Sequence, residues 1–387
     1  MNKVSVVKKE ILLKCHLTAS LVLALLVLMV LDRAADSTVQ DMKAQVAAYA
    51  EKELRVPPYD AVVYTPLWIE HLREQPKERP TVAFFGTSTV YGTTVIKGVN
   101  TTAGVLQAHR PDVRVLNLGL SGARFTETYA IVSSMIDQFD VAIYEINYGM
   151  TVVMENEEEP VVYPALIGKL GGIPRDWVSR FPHKHADALP SGVHRWVADH
   201  ALNRWTLYRD RDALSYALWK TRTPKEKIRR ELSKRDEVRT GNKRPADPLY
   251  KPYDQMTDDS KRRIDEGFRN LYTWKRPFDE ESSFGLFMIG KTLDLLRAHG
   301  KKAVFYTAPL DRQLIDNRKL IRWEEYRRVM NAYRELVESY GYPFIEFNSG
   351  GNIVPHRYYR DPTHLTDEGN RLFGETLIKH IPSDILG

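Results

Sequence analysis

The sequence predicts an α/β protein whose core is an open parallel sheet of about five strands. Five short apolar runs have the length and composition of buried strands, and helical patterns alternate with them. These runs are 81–85, 113–117, 141–147, 303–308 and 343–347. A content of 43% hydrophobic and 27% charged residues is that of a globular protein, and 387 residues can bury a sizeable core.

Helical patterns connect the predicted strands in chain order. The helices are predicted at 95–109, 126–139, 284–299 and 321–340, with a last one after Thr366. Gly300 ends the third of these helices, as glycine commonly does. The last helix has Leu372, Phe373 and Leu377 on one face, so we expect it to pack on the sheet.

The N-terminal region predicts a membrane anchor. Lysines precede a run at 17–31 that is almost wholly Leu, Val, Ala and Met, and with the residues back to Ile11 it approaches the roughly 20 needed to cross a bilayer. The positive-inside rule puts the N-terminus in the cytoplasm, so we expect a single-pass protein of the inner membrane with an extracytoplasmic (periplasmic) domain. A cleaved signal peptide is the alternative, but Asp32 and Arg33 occupy the position that needs a small residue.

Four regions follow from these patterns. They are the cytoplasmic tail and transmembrane anchor (1–35), a juxtamembrane linker (36–79), a catalytic domain (80–149 and 284–387) and a mostly helical insert (150–283). The α/β alternation stops in the insert, which we expect to lie over the carboxyl edge of the sheet. The single cysteine, Cys15, excludes a disulfide within the chain.

Positive charge is concentrated in the insert. The net charge is +6, and residues 220–263 alone carry 15 Lys and Arg against 8 Asp and Glu. Outside an inner membrane, such a patch attracts anionic lipid headgroups or an acidic polymer more readily than nucleic acid, and no nucleic-acid partner is expected. A solvated helical face with alternating charges is the plainer interpretation.

A serine and a histidine far apart in the chain predict a nucleophile and its base. Ser88 follows the first strand on a turn that Gly86 permits, and Asp361 precedes His364 by three residues in a late loop. A serine hydroxyl becomes a good nucleophile when a base removes its proton and a third group holds the tautomer of that base. We predict Ser88 as nucleophile, His364 as base and Asp361 as orienter. Taken singly, a turn serine and a loop histidine are equally good interpretations.

Two further strand ends supply candidates for an oxyanion hole. Gly119 follows the second strand and Asn147 ends the third, and the carboxyl ends of parallel strands converge on one crevice. The Gly119 N–H and the Asn147 amide would complete a hole with the Ser88 N–H. A tight turn at Gly119 and a strand-end cap at Asn147 are the alternatives.

No cofactor or metal is expected. The histidines at 183, 185, 194 and 200 match no common zinc spacing and come without cysteines. The sequence has neither a phosphate-cradling glycine loop nor a dinucleotide fingerprint. The predicted chemistry therefore depends on side chains alone.

The four segments resemble blocks I, II, III and V of the SGNH (GDSL-like) hydrolases, over 81–147 and about 303–381. The resemblance implies a flavodoxin-like sheet with Ser88, Gly119, Asn147 and His364 in the four name-giving roles and Asp361 as third triad member. Two motifs depart from the family pattern. The usual GDS is Gly86-Thr87-Ser88 here, and the usual GxND is Glu145-Ile146-Asn147-Tyr148.

The anchor and the large insert also resemble the membrane-anchored family of the D-alanyl transfer protein of teichoic-acid D-alanylation. That resemblance implies a membrane-bound O-acyltransferase (MBOAT) partner and transfer of an acyl group onto a cell-envelope polysaccharide or polymer. We therefore expect an SGNH-type serine O-acyltransferase or esterase. A non-catalytic polysaccharide-binding or assembly protein that retains the fold is the alternative.

Overall fold

The computed structural model describes residues 3–58, 60–187, 189, 192–220, 248 and 250–386. The greater part of the basic stretch, 221–247, lies outside the described residues. The chain divides into two compact units, one of residues 45–191 with 237–387 and one of residues 1–44 with 192–236. The predicted insert is therefore shared between the two units.

The larger unit contains a five-stranded parallel sheet with the strand order β2-β1-β3-β4-β5. The strands are β1 (Thr81–Phe85), β2 (Arg114–Asn117), β3 (Val141–Ile146), β4 (Lys302–Thr307) and β5 (Phe344–Ile345). This order is that of flavodoxin-like sheets, so the predicted fold class is confirmed. Strand β5 is shorter than predicted because the Phe347 N–H leaves the ladder and donates to the Thr307 hydroxyl at 2.9 Å.

Helices occupy most of the remaining described chain. They are α1 (Lys3–Glu53), α2 (Ala61–Glu74), α3 (Ser88–Tyr91), α4 (Thr102–His109), α5 (Phe125–Met135), α6 (Tyr148–Asn156), α7 (Pro164–Leu170), α8 (Arg175–Ser179), α9 (Gly192–His200), α10 (Thr206–Arg209), α11 (Arg211–Trp219), α12 (Asp258–Tyr272), α13 (Phe284–Ala298), α14 (Arg312–Arg318), α15 (Trp323–Ser339), α16 (Asp367–His380) and α17 (Ser383–Leu386). Helix α4 begins later than the predicted residue 95 because the Thr101 hydroxyl accepts the Gly104 N–H and caps the helix there.

The sheet is buried on both faces, which is why its strands are continuous apolar runs. On one face, Val82 and Phe84 belong to a core that includes Phe373 and Leu377 of α16. Truncation of a phenylalanine buried in this way costs about 3–5 kcal/mol. The other face carries an aromatic cluster in which the Tyr144 ring lies 5.1 Å from that of Phe305.

Parts of the predicted insert pack in the same unit as the sheet. The buried carboxylate of Glu127, on α5, accepts the backbone N–H groups of Val162 and Tyr163 at 2.5 and 2.9 Å. On α12, the Tyr272 ring lies 5.8 Å from the ring of Tyr148, which begins α6 directly after β3. Helix α12 therefore lies close to the carboxyl end of β3.

The smaller unit contains the first part of α1. The residues at 17–31 are exposed on every side, and the helix is long and apolar enough to cross a membrane. Helix α1 continues without a break to Glu53, through the first part of the predicted linker. No helix breaker occurs between Asp36 and Glu53, so the chain has no reason to leave the helix where the apolar run ends.

Candidate active site

Ser88 lies just beyond the carboxyl end of β1, at the first residue of α3. Gly86 makes the turn possible, since a Cβ on it would lie 2.5 Å from Val90 Cγ2 and 2.8 Å from Glu145 Cβ. The Tyr91 N–H closes the turn on the Thr87 carbonyl at 3.0 Å. Because Ser88 begins a helix, its own N–H has no intrahelical acceptor and is available as a donor.

The structure brings Ser88, His364 and Asp361 together. His364 Nε2 lies 2.7 Å from Ser88 Oγ, and His364 Nδ1 lies 2.9 Å from both carboxylate oxygens of Asp361. A carboxylate only accepts hydrogen bonds, so Nδ1 carries the proton and Nε2 presents its lone pair to the serine hydroxyl. This is the arrangement in which a histidine removes a serine proton.

Backbone groups hold Asp361, the acidic member of these three hydrogen-bonded residues, in place. Asp361 Oδ1 accepts the N–H groups of Thr363 and His364 at 3.1 and 2.8 Å. The segment from Asp361 to His364 therefore forms a tight loop, in which the Asp361 carboxylate fixes both the backbone and the imidazole. The loop ends at Thr366, whose hydroxyl accepts the Gly369 N–H and caps α16.

The charges of the pair stabilise each other. Burial alone would lower the pKa of His364, but the carboxylates of Asp361 and Glu145 outweigh it, and the net result is a pKa above the ordinary histidine value. Burial alone would raise the pKa of Asp361, but His364 and the two backbone N–H groups outweigh it and hold that pKa low. Asp361 therefore stays ionised while it orients the imidazole.

Glu145 is a site residue that the sequence analysis did not assign. Its buried carboxylate accepts the Thr87 hydroxyl at 3.0 Å through one oxygen and contacts the Thr89 hydroxyl through the other. Thr87 and Thr89 flank the predicted nucleophile in the chain. Strands β1 and β3 pair with Phe85 opposite Tyr144, so Glu145 comes directly beside the start of the Ser88 turn. The sequence contains one sign of this residue, because Glu145 is a charged residue at the position where the GxND motif has glycine.

Gly119 does not provide a free donor. Its N–H donates to Asn117 Oδ1 at 3.1 Å, and a Cβ on Gly119 would lie 2.6 Å from the Tyr91 backbone nitrogen. Both contacts are those of a close-packed turn, which is the alternative that the sequence left open. The Gly119 N–H is thus engaged by Asn117 in this structure, and the oxyanion role of Gly119 stays a prediction.

Gly122 is a second glycine on the same loop. It has φ +75°, and no described residue accepts its N–H. The preceding residue, Ser121, accepts the Thr93 hydroxyl at 3.1 Å, and the Thr93 N–H donates to the Ser88 carbonyl at 3.0 Å. The loop therefore lies against the Ser88 turn, and the Gly122 N–H is bonded to no described residue. A glycine with positive φ cannot be recognised in a sequence without knowledge of the turn that contains it.

Asn147 has the capping role that the sequence offered as one alternative. Its Oδ1 accepts the Met150 N–H at 3.3 Å and caps α6. Its Nδ2 donates to no described residue, so the cap fixes the amide while one N–H₂ group remains free.

Aromatic side chains of α12 and α6 form one wall of the site. The Phe268 ring stands edge-on to the His364 ring, with 6.4 Å between centroids, and Tyr272 packs behind it. The Tyr272 hydroxyl is buried and makes no hydrogen bond to a described residue. Phe268 therefore gives the imidazole an apolar neighbour.

Among the described residues, no group of three or more His, Cys, Asp and Glu could hold a metal ion. His185 is paired with Glu158 at 3.8 Å, and His200 bonds the Trp196 carbonyl within its own helix. The side chain of His194 lies outside the described residues.

Several solved structures are similar to this chain. One is a protein of Bacteroides fragilis provisionally named an acylhydrolase, with 11% identity, 82% of this chain and 95% of that chain covered, and a TM-score of 0.36. Another is a protein of Desulfitobacterium hafniense provisionally named a lipolytic protein of the G-D-S-L family, with 9% identity, 78% and 99% covered, and a TM-score of 0.33. A third is an acetyl xylan esterase, with 11% identity, 78% and 100% covered, and a TM-score of 0.34.

No protein-family model and no curated protein matches the sequence. The structural neighbours carry names of the GDSL type and of esterases. At these identities and TM-scores the likeness supports no conclusion about the family, the activity or the substrate of this chain.

Proposed function

We propose that this protein is a serine acyl-enzyme catalyst that acts on ester bonds. The observation that carries the proposal is the continuous chain from Ser88 Oγ to His364 Nε2 at 2.7 Å and from His364 Nδ1 to Asp361 at 2.9 Å. Ser88 is the nucleophile, His364 the general base and acid, and Asp361 the residue that orients the imidazole.

Each step of the reaction follows from these positions. Ser88 Oγ attacks the ester carbonyl while its proton passes to His364 Nε2, and a tetrahedral oxyanion forms. The oxyanion collapses, the bond to the alcohol breaks, and His364 gives its proton to the departing oxygen. Water or an acceptor hydroxyl then loses its proton to His364 and attacks the acyl carbonyl. The bond to Ser88 Oγ breaks, His364 returns the proton to Ser88 Oγ, and a carboxylic acid or a new ester is released.

The oxyanion needs donors fixed before the reaction begins. We assign this role to the Ser88 N–H, the Asn147 Nδ2 and the Gly122 N–H. Removal of one such donor typically lowers the rate about 10²–10³-fold, so the set determines speed and not reaction type.

We further propose transfer to a cell-envelope polysaccharide or polymer, with an MBOAT protein as the source of the acyl group. The support is the helix α1, which is long and apolar enough to anchor the chain beside such a partner. A tethered site meets a membrane-delivered acyl donor at high effective concentration. In this proposal the larger unit lies outside the inner membrane and the N-terminus lies in the cytoplasm.

A fluorophosphonate probe tests the chemistry on the full-length protein in detergent. We expect stoichiometric labelling that is lost in Ser88→Ala and strongly slowed in His364→Ala. Ser339→Ala, a change at an exposed serine whose hydroxyl bonds only the Leu336 carbonyl, is the matched control and should label like the wild type. An unlabelled but folded wild type would favour the non-catalytic polysaccharide-binding alternative.

The partition of the acyl group tests transfer against hydrolysis. With p-nitrophenyl acetate as donor, an acceptor polymer that is used should raise p-nitrophenol release and divert acetyl from acetate to the polymer. A constant yield of free acetate at every acceptor concentration would establish hydrolysis alone.

A further inference from the structure

The smaller unit exposes an unusual amount of apolar surface outside the membrane-spanning run. Val193 and Trp196 of α9 are 76% and 62% exposed, and Leu218 and Trp219 at the end of α11 are 74% and 43% exposed. Single exposed apolar residues need no explanation, but two tryptophans and two aliphatic residues within 30 positions are a concentration that marks an interaction surface.

These four residues belong to a segment that is bound to α1 by polar contacts. The Leu207 N–H donates to Asp32 Oδ1 at 2.9 Å, and the Thr206 hydroxyl donates to Asp36 Oδ1 at 3.3 Å. Arg209 lies 3.9 Å from the same Asp36 oxygen. Three contacts therefore fix helix α10 to one face of α1.

The position of these contacts along α1 sets a depth. Asp32 and Asp36 follow the last apolar residue, Leu31, by one and five positions, which is about 2 and 8 Å at 1.5 Å per residue. A bilayer has a hydrocarbon core of about 30 Å within a total of about 40–45 Å, so each headgroup layer is about 5–8 Å deep. If 11–31, about 20 residues, spans the core, α10 lies within the headgroup layer.

The chemistry of the segment fits that layer. Tryptophan is enriched at membrane interfaces because its ring is apolar and its N–H finds polar partners. The exposed Arg204 and Arg211 lie on either side of α10 and suit anionic headgroups. On α1, the side chains of Asp32 and Asp36 at this depth contact Leu207, Thr206 and Arg209, and Asp210, which follows α10, is paired with Arg209 at 2.9 Å.

We propose that residues 192–220 form an interfacial collar, which lies in the headgroup layer of the bilayer that 11–31 crosses and inserts Val193, Trp196, Leu218 and Trp219 among the lipids. The collar holds α1 at a fixed depth, because α10 binds it just beyond the span. The proposal rests on the anchor and does not depend on the chemistry at Ser88.

Spin labels on the full chain test the depth directly. Cys15 is the single cysteine, so Cys15→Ser gives a background in which Trp196→Cys and Leu218→Cys each carry one nitroxide. Leu25→Cys within the span and Glu280→Cys on the exposed surface are the matched controls. The protein is placed in nanodiscs of three parts phosphatidylethanolamine to one part phosphatidylglycerol, and the accessibility to oxygen is compared with that to a water-soluble nickel chelate.

We expect the collar labels to lie between the two controls. Their ratio of oxygen to nickel accessibility should exceed that of Glu280→Cys several-fold and fall below that of Leu25→Cys. Replacement of both Asp32 and Asp36 by Ala should move the Trp196→Cys label towards water, because the attachment of α10 is lost.

Three outcomes would overturn the proposal. A ratio equal to that of Glu280→Cys would place the segment in water. Low accessibility to both reagents would show that protein covers the surface, as for a partner subunit or a second copy. A Leu25→Cys label in water would remove the anchor on which the collar depends. None of these outcomes bears on fluorophosphonate labelling of Ser88, so failure of the collar and failure of the proposed chemistry are distinguishable.

Discussion

Thr87 Oγ1 donates a hydrogen bond to Glu145 Oε1 at 3.0 Å, and Thr89 contacts the other oxygen of the same carboxylate. A single buried side chain on β3 thus holds both chain neighbours of Ser88. Each carboxylate oxygen has one hydroxyl partner. Burial raises the pKa of the Glu145 carboxyl, and the two threonine hydroxyls act against that rise. Glu145 acts on the reaction through Ser88 and His364, so it is a positioning residue.

Glu145→Gln should slow the reaction without weakening substrate binding. We expect kcat for p-nitrophenyl acetate to fall about 10- to 100-fold with KM little changed, since a misplaced nucleophile loses rate steeply. The variant also removes a negative charge that raises the pKa of His364, so the acidic limb of the pH profile should move to lower pH. A purely structural role would lower kcat and leave the limb in place.

Glu127→Gln is the matched control for this experiment. Glu127 is a buried carboxylate bonded to backbone N–H groups, yet it makes no contribution to the pKa of His364. We expect a loss of stability in this variant and an unchanged acidic limb. A shift of equal size in both variants would show that the limb reports stability and not the charge beside His364.

The activity of the wild-type protein should fall at acidic pH, with a midpoint above the ordinary pKa of a histidine. His364 must be neutral to accept the Ser88 proton, and burial lowers its pKa less than Asp361 and Glu145 raise it, with Arg360 acting in the lowering direction. A raised pKa keeps the imidazole protonated to higher pH, so we expect the half-maximal rate of fluorophosphonate labelling above about pH 6.5.

Asp361→Asn separates the contributions to this limb. The variant removes the carboxylate that raises the pKa of His364 the most, so the midpoint of the acidic limb should move to lower pH. The labelling rate on the plateau should also fall, by about 10⁴-fold where the wrong tautomer is stabilised. A wild-type midpoint below pH 6.5 would contradict the electrostatic account of the site.

Much of the site could be predicted because its parts are local. Asp361 and His364 are three residues apart, and Gly86 and Ser88 occur where an apolar strand stops, so each half of the triad is visible in a short segment. The pairing of the two halves followed from the need of a serine nucleophile for a base, and the resemblance to a family implied the same roles. The strand order was implied in the same way, since apolar runs alone do not rank strands within a sheet.

The remainder depends on neighbours that sequence spacing does not reveal. The Gly119 N–H donates to the side chain of Asn117, two positions earlier. Gly122 has a positive φ, which the sequence does not show. The role of Glu145 requires that β1 and β3 be adjacent and in register. Such facts are properties of the folded chain, and periodicity carries no signal for them.

Asn147→Ser should separate the capping role of Asn147 from its catalytic one. Serine is as good a helix cap as asparagine, so the free energy of unfolding should change by less than about 0.5 kcal/mol. The variant has no Nδ2, so kcat should fall about 10²–10³-fold if that group binds the oxyanion.

Asn147→Ala loses both functions and provides the comparison. It should match the rate of Asn147→Ser and lose about 1 kcal/mol more stability, because the Met150 N–H is left without its acceptor. Wild-type kcat in the serine variant would show that Asn147 is a cap and nothing more. The free energies come from urea unfolding of the solubilised protein.

The last prediction distinguishes the two loop glycines as oxyanion donors. At Gly119, alanine places a Cβ against the Tyr91 backbone, and such overpacking costs about 1–3 kcal/mol of stability. At Gly122, alanine strains a backbone with φ +75°, which costs about 1–2 kcal/mol and displaces the free N–H. We therefore expect both variants to be destabilised, but a loss of kcat per folded molecule of up to about 10²-fold in Gly122→Ala alone.

Gly341→Ala controls for the strain itself. Gly341 has φ +81° and open space around its Cβ position, in a turn that contributes nothing to the site. Its alanine variant should lose no more stability than Gly122→Ala, whose Cβ also meets the Tyr163 hydroxyl at 3.0 Å, and should retain full kcat, because only the Gly122 loop contacts the Ser88 turn. If Gly119→Ala shows the larger loss of kcat per folded molecule, the Asn117 side chain must release the Gly119 N–H during the reaction, as the prediction from the sequence requires.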